Sequence, residues 1–294
     1  MAAYKAVSLK HRAFRGFLKK FERAVSAVSR DAYMKMAVEV VEELGRIAVV
    51  HTPEGVVKFH CDSEVARIRA NGMLVREPDT LDWIRTFAPG DVFLDIGSNV
   101  GVFSLFAAVA RDATVIACDP LPHNTYAITR NAILNGVSER IISMSVALTD
   151  SPGTAALSVP GVADATGGAG ATYGETYDNY QNTIDTTYKL TVPGISVDRM
   201  IEVYKLPVPA HIKMDIDGIQ EKVIEGAAKT LADARVKSAM IELQPTDNEP
   251  NTRACALILA AMESAGFTLR KTVRTSPNGS DDPAVSPTNN FFYK

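Results

Sequence analysis

Little in this chain is built for cross-linking or metal capture. It has three cysteines in 294 residues, Cys61, Cys118 and Cys255. They share no paired or metal-like spacing, which excludes a disulfide framework and a zinc cluster and suits a reducing cytoplasm. The five histidines are scattered and show no ligand spacing. No apolar run approaches the roughly 18 residues that a membrane span needs. The first residues lack a secretory apolar stretch before a small-residue cleavage site. The formal net charge of −3 gives no overall basic footprint, so nucleic acid is not the expected partner.

What is present is apolar patterning, at 46% of the residues, enough for one large core. From Asp91 onward, strands alternate with helices. VFLDI, TVIACDP, IISMSVAL, HIKMDID and KSAMIELQ read as strands. The segments between them read as helices, including IQEKVIEGAAKTLADA as a single one. This alternation predicts a parallel sheet covered on both faces. FTLRKTV and NNFFYK follow with no helix between them and predict an antiparallel hairpin at one edge. The expected fold class is α/β, Rossmann-like, with a mostly parallel seven-stranded sheet. EPDTLDWIRTFAPG predicts a helix leading into it.

Residues 1–75 read as an N-terminal addition. Eight basic residues in the first thirty face one acid, Glu22, and apolar residues such as Phe14, Phe17 and Phe21 recur at helical spacing. Such a helix packs on its own domain, on a second copy in a homodimer, or on an anionic membrane surface. A second helix follows, ending at Gly45, and then a hairpin around Pro53-Glu54-Gly55. Residues 160–192 interrupt the α/β pattern. They are rich in Gly, Thr, Asn and Tyr and read as a substrate lid or a plain insertion. Tyr173, Tyr177, Tyr180 and Tyr188 offer flat surfaces to a ring.

The stretch DIGSNVG, residues 95–101, links the first strand to its helix. The dinucleotide fingerprint needs a middle glycine that Ser98 and Asn99 replace, and the lysine-serine pair of a nucleotide phosphate loop is missing. Asp95 ends the strand, and Asp119 ends the next, where a carboxylate accepts ribose hydroxyls. Carboxylates beside the loop repel a pyrophosphate and attract a cation. S-adenosylmethionine (SAM), with an ammonium, a sulfonium and no phosphate, meets this demand. Asp215 and Asp217 share one strand face at the same sheet edge. A carboxylate there can orient an acceptor hydroxyl and take its proton. Together with Glu242 they could instead hold Mg²⁺ or Ca²⁺, and Asp217 could cap the following helix.

These residues resemble the FkbM family of SAM-dependent methyltransferases. DVFLDIGSNVGVFS is similar to its first motif. Asp119, Pro120, Pro122, Asn124 and Asn131 in VIACDPLPHNTYAITRNAILNG are similar to its second. SVALTDSPGTAALSV is similar to the segment that approaches the adenine, placing Ala147 there. HIKMDIDGIQEKVIEGA is similar to its Lys-Ile-Asp-Val-Glu-Gly-x-Glu segment, with Asp217 and Gln220 departing from its acids as Asp119 departs from the usual Glu of the second motif. Glu77 resembles an acid preceding the first motif. The resemblance implies a methyltransferase domain over residues 76–294. It also implies a SAM site formed by Glu77, Asp95, Gly97, Ser98, Asn99, Gly101, Asp119, Pro120, Asn124, Ala147 and Asp215, with Asp215 and Asp217 as catalytic candidates. It implies O-methylation of a sugar, a glycolipid or polysaccharide precursor, or a secondary metabolite, in the cytoplasm or at the inner face of a membrane. Methylation of nitrogen, a non-catalytic SAM-binding module and an NAD-dependent oxidoreductase are the other readings.

Overall fold

The computed structural model describes residues 9–43, 46–161, 165–177, 183–244, 249–275 and 287–294. The chain divides into two units, Met1–Arg46 and Ile47–Lys294. The first contains α1 (Leu9–Val28) and α2 (Arg30–Glu43), which contact each other. On α1, Phe17 stacks on Phe21 with ring centroids 6.2 Å apart, and Leu18 beside them is exposed. The expected cap at Gly45 lies outside the described residues.

The second unit opens with β1 (Ile47–Thr52), β2 (Gly55–His60), α3 (Glu64–Arg76) and α4 (Pro78–Arg85). Next come β3 (Val92–Ile96), α5 (Val102–Arg111), β4 (Thr114–Cys118), α6 (Pro122–Leu134), β5 (Ile141–Met144) and β6 (Ala147–Leu148). β7 (Gly153–Pro160) leads into the insertion, and β8 (Thr172–Tyr173) and β9 (Thr186–Ile195) follow. Then follow α7 (Val197–Tyr204), β10 (His211–Met214), α8 (Gln220–Glu225), α9 (Ala228–Ala232) and β11 (Ser238–Leu243). The unit closes with α10 (Glu249–Ser264), β12 (Thr268–Arg274) and β13 (Thr288–Tyr293).

The main sheet has seven strands in the order β12-β13-β11-β10-β3-β4-β5. Its five inner-chain strands run parallel, and β13 and β12 are antiparallel at one edge. This is the expected Rossmann-like sheet with its closing hairpin. Strand alternation sorts the core onto two faces. Phe93 and Val115 pack with α5 residues Leu105 and Phe106 on one face. Leu94, Ile116, Ile212 and Ile241 pack with Val223, Leu231 and Met262 on the other.

The break between units falls after Arg46, not near residue 75. The hairpin belongs to the second unit because Val57 and Phe59 are buried in the same core as Phe93 and Leu105. Asn131 of α6 fixes it there. Its Oδ1 accepts the His60 N–H at 2.7 Å, while its Nδ2 donates to the Val100 carbonyl at 3.1 Å. One family-like asparagine thus ties the hairpin to the glycine loop. Helix α3, absent from the sequence reading, starts at Ser63, whose Oγ accepts the Ala66 N–H.

Other expectations are corrected. Residues 160–192 are not loop throughout, because β6, β9, β7 and β8 form a second sheet. Alternating Leu157, Val159 and Val192 bury its inner face against Leu121 and Ala147. The strand expected over 141–148 splits because Ala147 and Leu148 pair with β9, not β4. The single helix expected after β10 is two, α8 and α9, separated at Gly226. A Cβ there would lie 2.1 Å from the Thr149 carbonyl oxygen, so the chain bends around that contact. Among the described residues no helix is long and apolar enough to cross a membrane.

Trp83 ties α4 to the sheet. It is buried, donates its indole N–H to Ser238 Oγ at 2.9 Å, and meets Phe87, Phe93 and Phe291 edge-on. Trp83→Ala removes that ring and leaves a cavity. Thermal or urea unfolding should show a loss of about 3–5 kcal/mol.

Candidate active site

The carboxyl ends of β3, β4 and β10 open onto a cleft of about 810 Å³, counting its mouth. This is where open α/β sheets place their ligands. The loop from Gly97 to Gly101 forms its floor. Gly97 and Ser98 donate their N–H groups to the Cys118 carbonyl, pinning the loop to β4. Gly97 has φ +78°, and a Cβ there would lie 2.0 Å from the Asp215 carbonyl oxygen. Glycine is therefore required where β3 and β10 approach. Gly101, at φ +83°, begins α5.

Asp119 is buried at the end of β4. It accepts the Asn99 N–H on Oδ2 at 2.9 Å, and the Leu121 N–H at 2.9 Å and Asn124 Nδ2 at 3.2 Å on Oδ1. Burial pushes its carboxyl up to about 6, although those three donors favour the ionised form. A carboxylate offers about four acceptor positions, so one remains for a ligand hydroxyl. Pro120, Leu121 and Ala147 line the cleft beside it.

At the end of β10 lies a charged cluster around Lys213. Its side chain is 1% exposed, donates from Nζ to Asp215 Oδ2 at 2.8 Å, and sits over the Phe103 ring. Burial alone would lower its pKa, but Asp215, Asp95 and Glu77 overcome this and raise it. Asp215 reaches the cleft. Burial would raise its pKa, yet Lys213 and a hydrogen bond from Glu242 hold it well below the usual carboxylate range. Glu242 moves the opposite way, raised by burial and by the Asp215 charge. Within this pair, Glu242 keeps the proton and Asp215 the charge.

The structure thus brings Gly97, Asn99, Asp119, Pro120, Asn124, Ala147, Asp215 and Asp217 to one cleft. Four candidates stand behind its wall. Asp95 is fully buried beneath the loop, with Oδ2 accepting from Ser104 Oγ at 2.6 Å and Oδ1 without a partner. It does not line the cleft, and burial raises its pKa. Ser98 is buried, and Gly101 faces Ile128. Glu77 accepts from Thr80 and Asn289 near Lys213, and burial raises its pKa. Asp217 does not cap the next helix. Ile219 holds the cap position of α8, and Asp217 accepts the Gly170 N–H at 3.0 Å. Among the described residues no three acids, histidines or cysteines converge to hold a metal, because Asp215 and Asp217 are turned to these other partners.

That Gly170 contact is part of a larger docking. Residues 168–171 line the cleft. Gly167 donates its N–H to Asn124 Oδ1, and the Gly167 and Gly168 carbonyls accept Asn99 Nδ2. The insertion thus covers the site, while of its four tyrosines Tyr173 lines the cleft and Tyr188 packs against the second sheet's core. Tyr180 lies outside the described residues. Arg69 of α3 also lines the cleft and was missed in the sequence. Ser63 is a local signal for the helix, but nothing local signals that its arginine reaches the cleft.

These residues fit SAM. The cleft's acids suit its cationic end, Asp119 suits its ribose, and no phosphate cradle is present. A hydroxyl donating to Asp119 favours its ionised form. Donor affinity should therefore fall as the pH drops through about 6, measured by calorimetry. Stability has the opposite sign. The folded pKa lies above the ordinary 3.8, so Asp119's contribution is fully present below that value and lost as pH rises through about 6. Gly97→Ala should abolish donor binding and lower the melting temperature, because its Cβ has no room.

Comparisons with known proteins identify the family. Over 141 residues the chain is 26% identical to the hexuronic acid methyltransferase AglP of Haloferax volcanii, covering 48% of this chain and 52% of that protein. The chain thus spans about half the length of this curated relative. A methyltransferase FkbM structure from Methylobacillus flagellatus is 13% identical, with a TM-score of 0.44, over 78% of this chain and 55% of that one. M. jannaschii TYW2, solved in complex with AdoMet, is 11% identical, with a TM-score of 0.41, over 85% and 87%. Residues 95–269 match the methyltransferase FkbM domain. That match takes in more than half of the chain, which therefore belongs to the FkbM methyltransferase family and uses S-adenosylmethionine as its cofactor.

Proposed function

We propose that this protein transfers a methyl group to a hydroxyl oxygen of a sugar. One observation carries the choice of oxygen: the buried Lys213 ammonium holds Asp215 well below the usual carboxylate range. When bound, SAM supplies an electrophilic methyl group on a positively charged sulfur.

Asp215 accepts a hydrogen bond from the acceptor hydroxyl and so turns an oxygen lone pair toward the methyl. With the cofactor bound, the hydroxyl oxygen would gain positive charge as it took up the methyl group. Asp215 is already ionised and stabilises this charge without reorganising. The methylated oxygen is then far more acidic than any carboxylic acid, so even a weakly basic Asp215 can take its proton and pass it to solvent. An amine acceptor makes a different demand. It is protonated at neutral pH and must lose a proton before attack, which a carboxylate of such low basicity does poorly. This electrostatic setting disfavours nitrogen as the acceptor.

Two further features support a sugar. The relative with 26% identity is named for a hexuronic acid. Tyr173, held across Gly194, offers a flat wall in the cleft.

Asp215→Asn keeps the shape and removes the charge. Transfer of labelled methyl to sugar acceptors should fall about 10²–10⁴-fold, while calorimetry shows SAM affinity within a few-fold of wild type. Unchanged turnover in this variant would reject the role given to Asp215. Labelling confined to amines would reject the oxygen acceptor.

A further inference from the structure

Among the residues lining the cleft the carboxylates are Asp119, Asp215 and Asp217, and Arg69 is the one basic side chain. Arg69 stands on α3, and Arg76 follows seven residues later on the same helix face. Arg69 Nε donates to the Gly167 carbonyl at 3.3 Å, leaving the rest of its guanidinium fork uncommitted. Among the described residues neither arginine is paired with a carboxylate. The two cations nonetheless sense one another. Partial burial lowers the pKa of Arg76, the charge of Arg69 lowers it further, and the charges of Glu77 and Asp215 oppose both.

Gly72 lies between them. A Cβ at this position would fall 2.6 Å from Arg76 Cδ and 2.9 Å from its Cγ. The Arg76 side chain is therefore laid across Gly72, back along the helix toward Arg69. An interior helical glycine costs about 1 kcal/mol relative to alanine. Here it opens the space that lets two like charges lie on one helix face next to the cleft. Like charges placed together in this way are stabilised by an anion between them. The planar guanidinium fork suits carboxylate and phosphate oxygens.

The position also fits the acceptor. The charges of both arginines act on Asp215, the residue assigned to the acceptor hydroxyl. An anionic acceptor entering a cleft with Asp119, Asp215 and Asp217 in its walls would be repelled without such a counter-charge.

We propose that Arg69 and Arg76 form an anion subsite on the acceptor side of the cleft, taking the carboxylate or phosphate of an acidic sugar. This rests on the sugar hydroxyl reading above and narrows it.

The test uses the full chain saturated with S-adenosylhomocysteine and titrated by calorimetry with glucuronate, glucose 6-phosphate and glucose. Wild type should bind at least one charged sugar about tenfold tighter than glucose, as expected for charge-assisted hydrogen bonds. Which of the two binds better separates carboxylate from phosphate. Arg69→Gln and Arg76→Gln should remove that preference. Gly72→Ala should weaken it while maintaining or raising the melting temperature, since alanine favours the helix and displaces only the Arg76 side chain. Equal binding of glucose, or a preference unchanged in all three variants, overturns the subsite. So does a loss of SAM affinity in Arg69→Gln with the sugar preference intact, which would place the arginine on the donor. Labelled methyl transfer to the same sugars is scored separately. Anion preference without transfer refutes the sugar hydroxyl reading and leaves the subsite standing.

Discussion

A buried ammonium holds the site together. Lys213 sits in the middle of β10, with Asp95 as its register partner on β3 and Asp215 two residues further along its own strand. Each of these acids would be costly to bury alone, and so would the lysine. Together with Glu77 they form a group in which one cation offsets several carboxylates. Removing the lysine would leave uncompensated charge in the core, a change that costs about 3–5 kcal/mol in other proteins. The same contact holds the Asp215 carboxyl well below the usual carboxylate range, while burial and the Asp215 charge raise that of Glu242 beside it.

The rest of the site is arranged around this centre by close backbone approaches. Gly97 lets β3 and β10 meet at the Asp215 carbonyl, and Gly226 lets the chain after β10 pass the Thr149 carbonyl. Asparagines join the layers. Asn131 binds the hairpin to the glycine loop, Asn124 joins Asp119 to the insertion, and Asn99 holds two insertion carbonyls. The donor side, the cover and the acceptor side are thus parts of one hydrogen-bonded network. A ligand that displaces residues 167–170 must break bonds to Asn99, Asn124 and Asp217.

Much of this was legible in the sequence where the signal is local. The period of the strands and helices gave the sheet, because burial on both faces leaves continuous apolar runs such as VFLDI and TVIAC. The acids at strand ends gave the cofactor, because their spacing follows from a repeated strand-turn-helix unit. The second sheet was missed, although Leu157, Val159 and Val192 alternate, since polar and glycine-rich flanks masked the pattern. Helix α3 was missed because Gly72 weakens the helical pattern of its sequence, although the helix runs through it. The break at Gly226 was missed because nothing in the segment itself shows the Thr149 carbonyl pressing on it.

The sequence by itself determined the fold class, the loop of DIGSNVG and the acids Asp119 and Asp215, because short-range spacing and strand alternation dictate them. The tertiary structure alone decided what those acids can do. It sealed Asp95 beneath the loop, turned Asp217 to the insertion, lowered the basicity of Asp215 with a buried lysine, and carried Arg69 from a distant helix into the cleft. The reason is physical: burial and the field of neighbouring charges belong to the packed assembly, and no stretch of chain carries them alone.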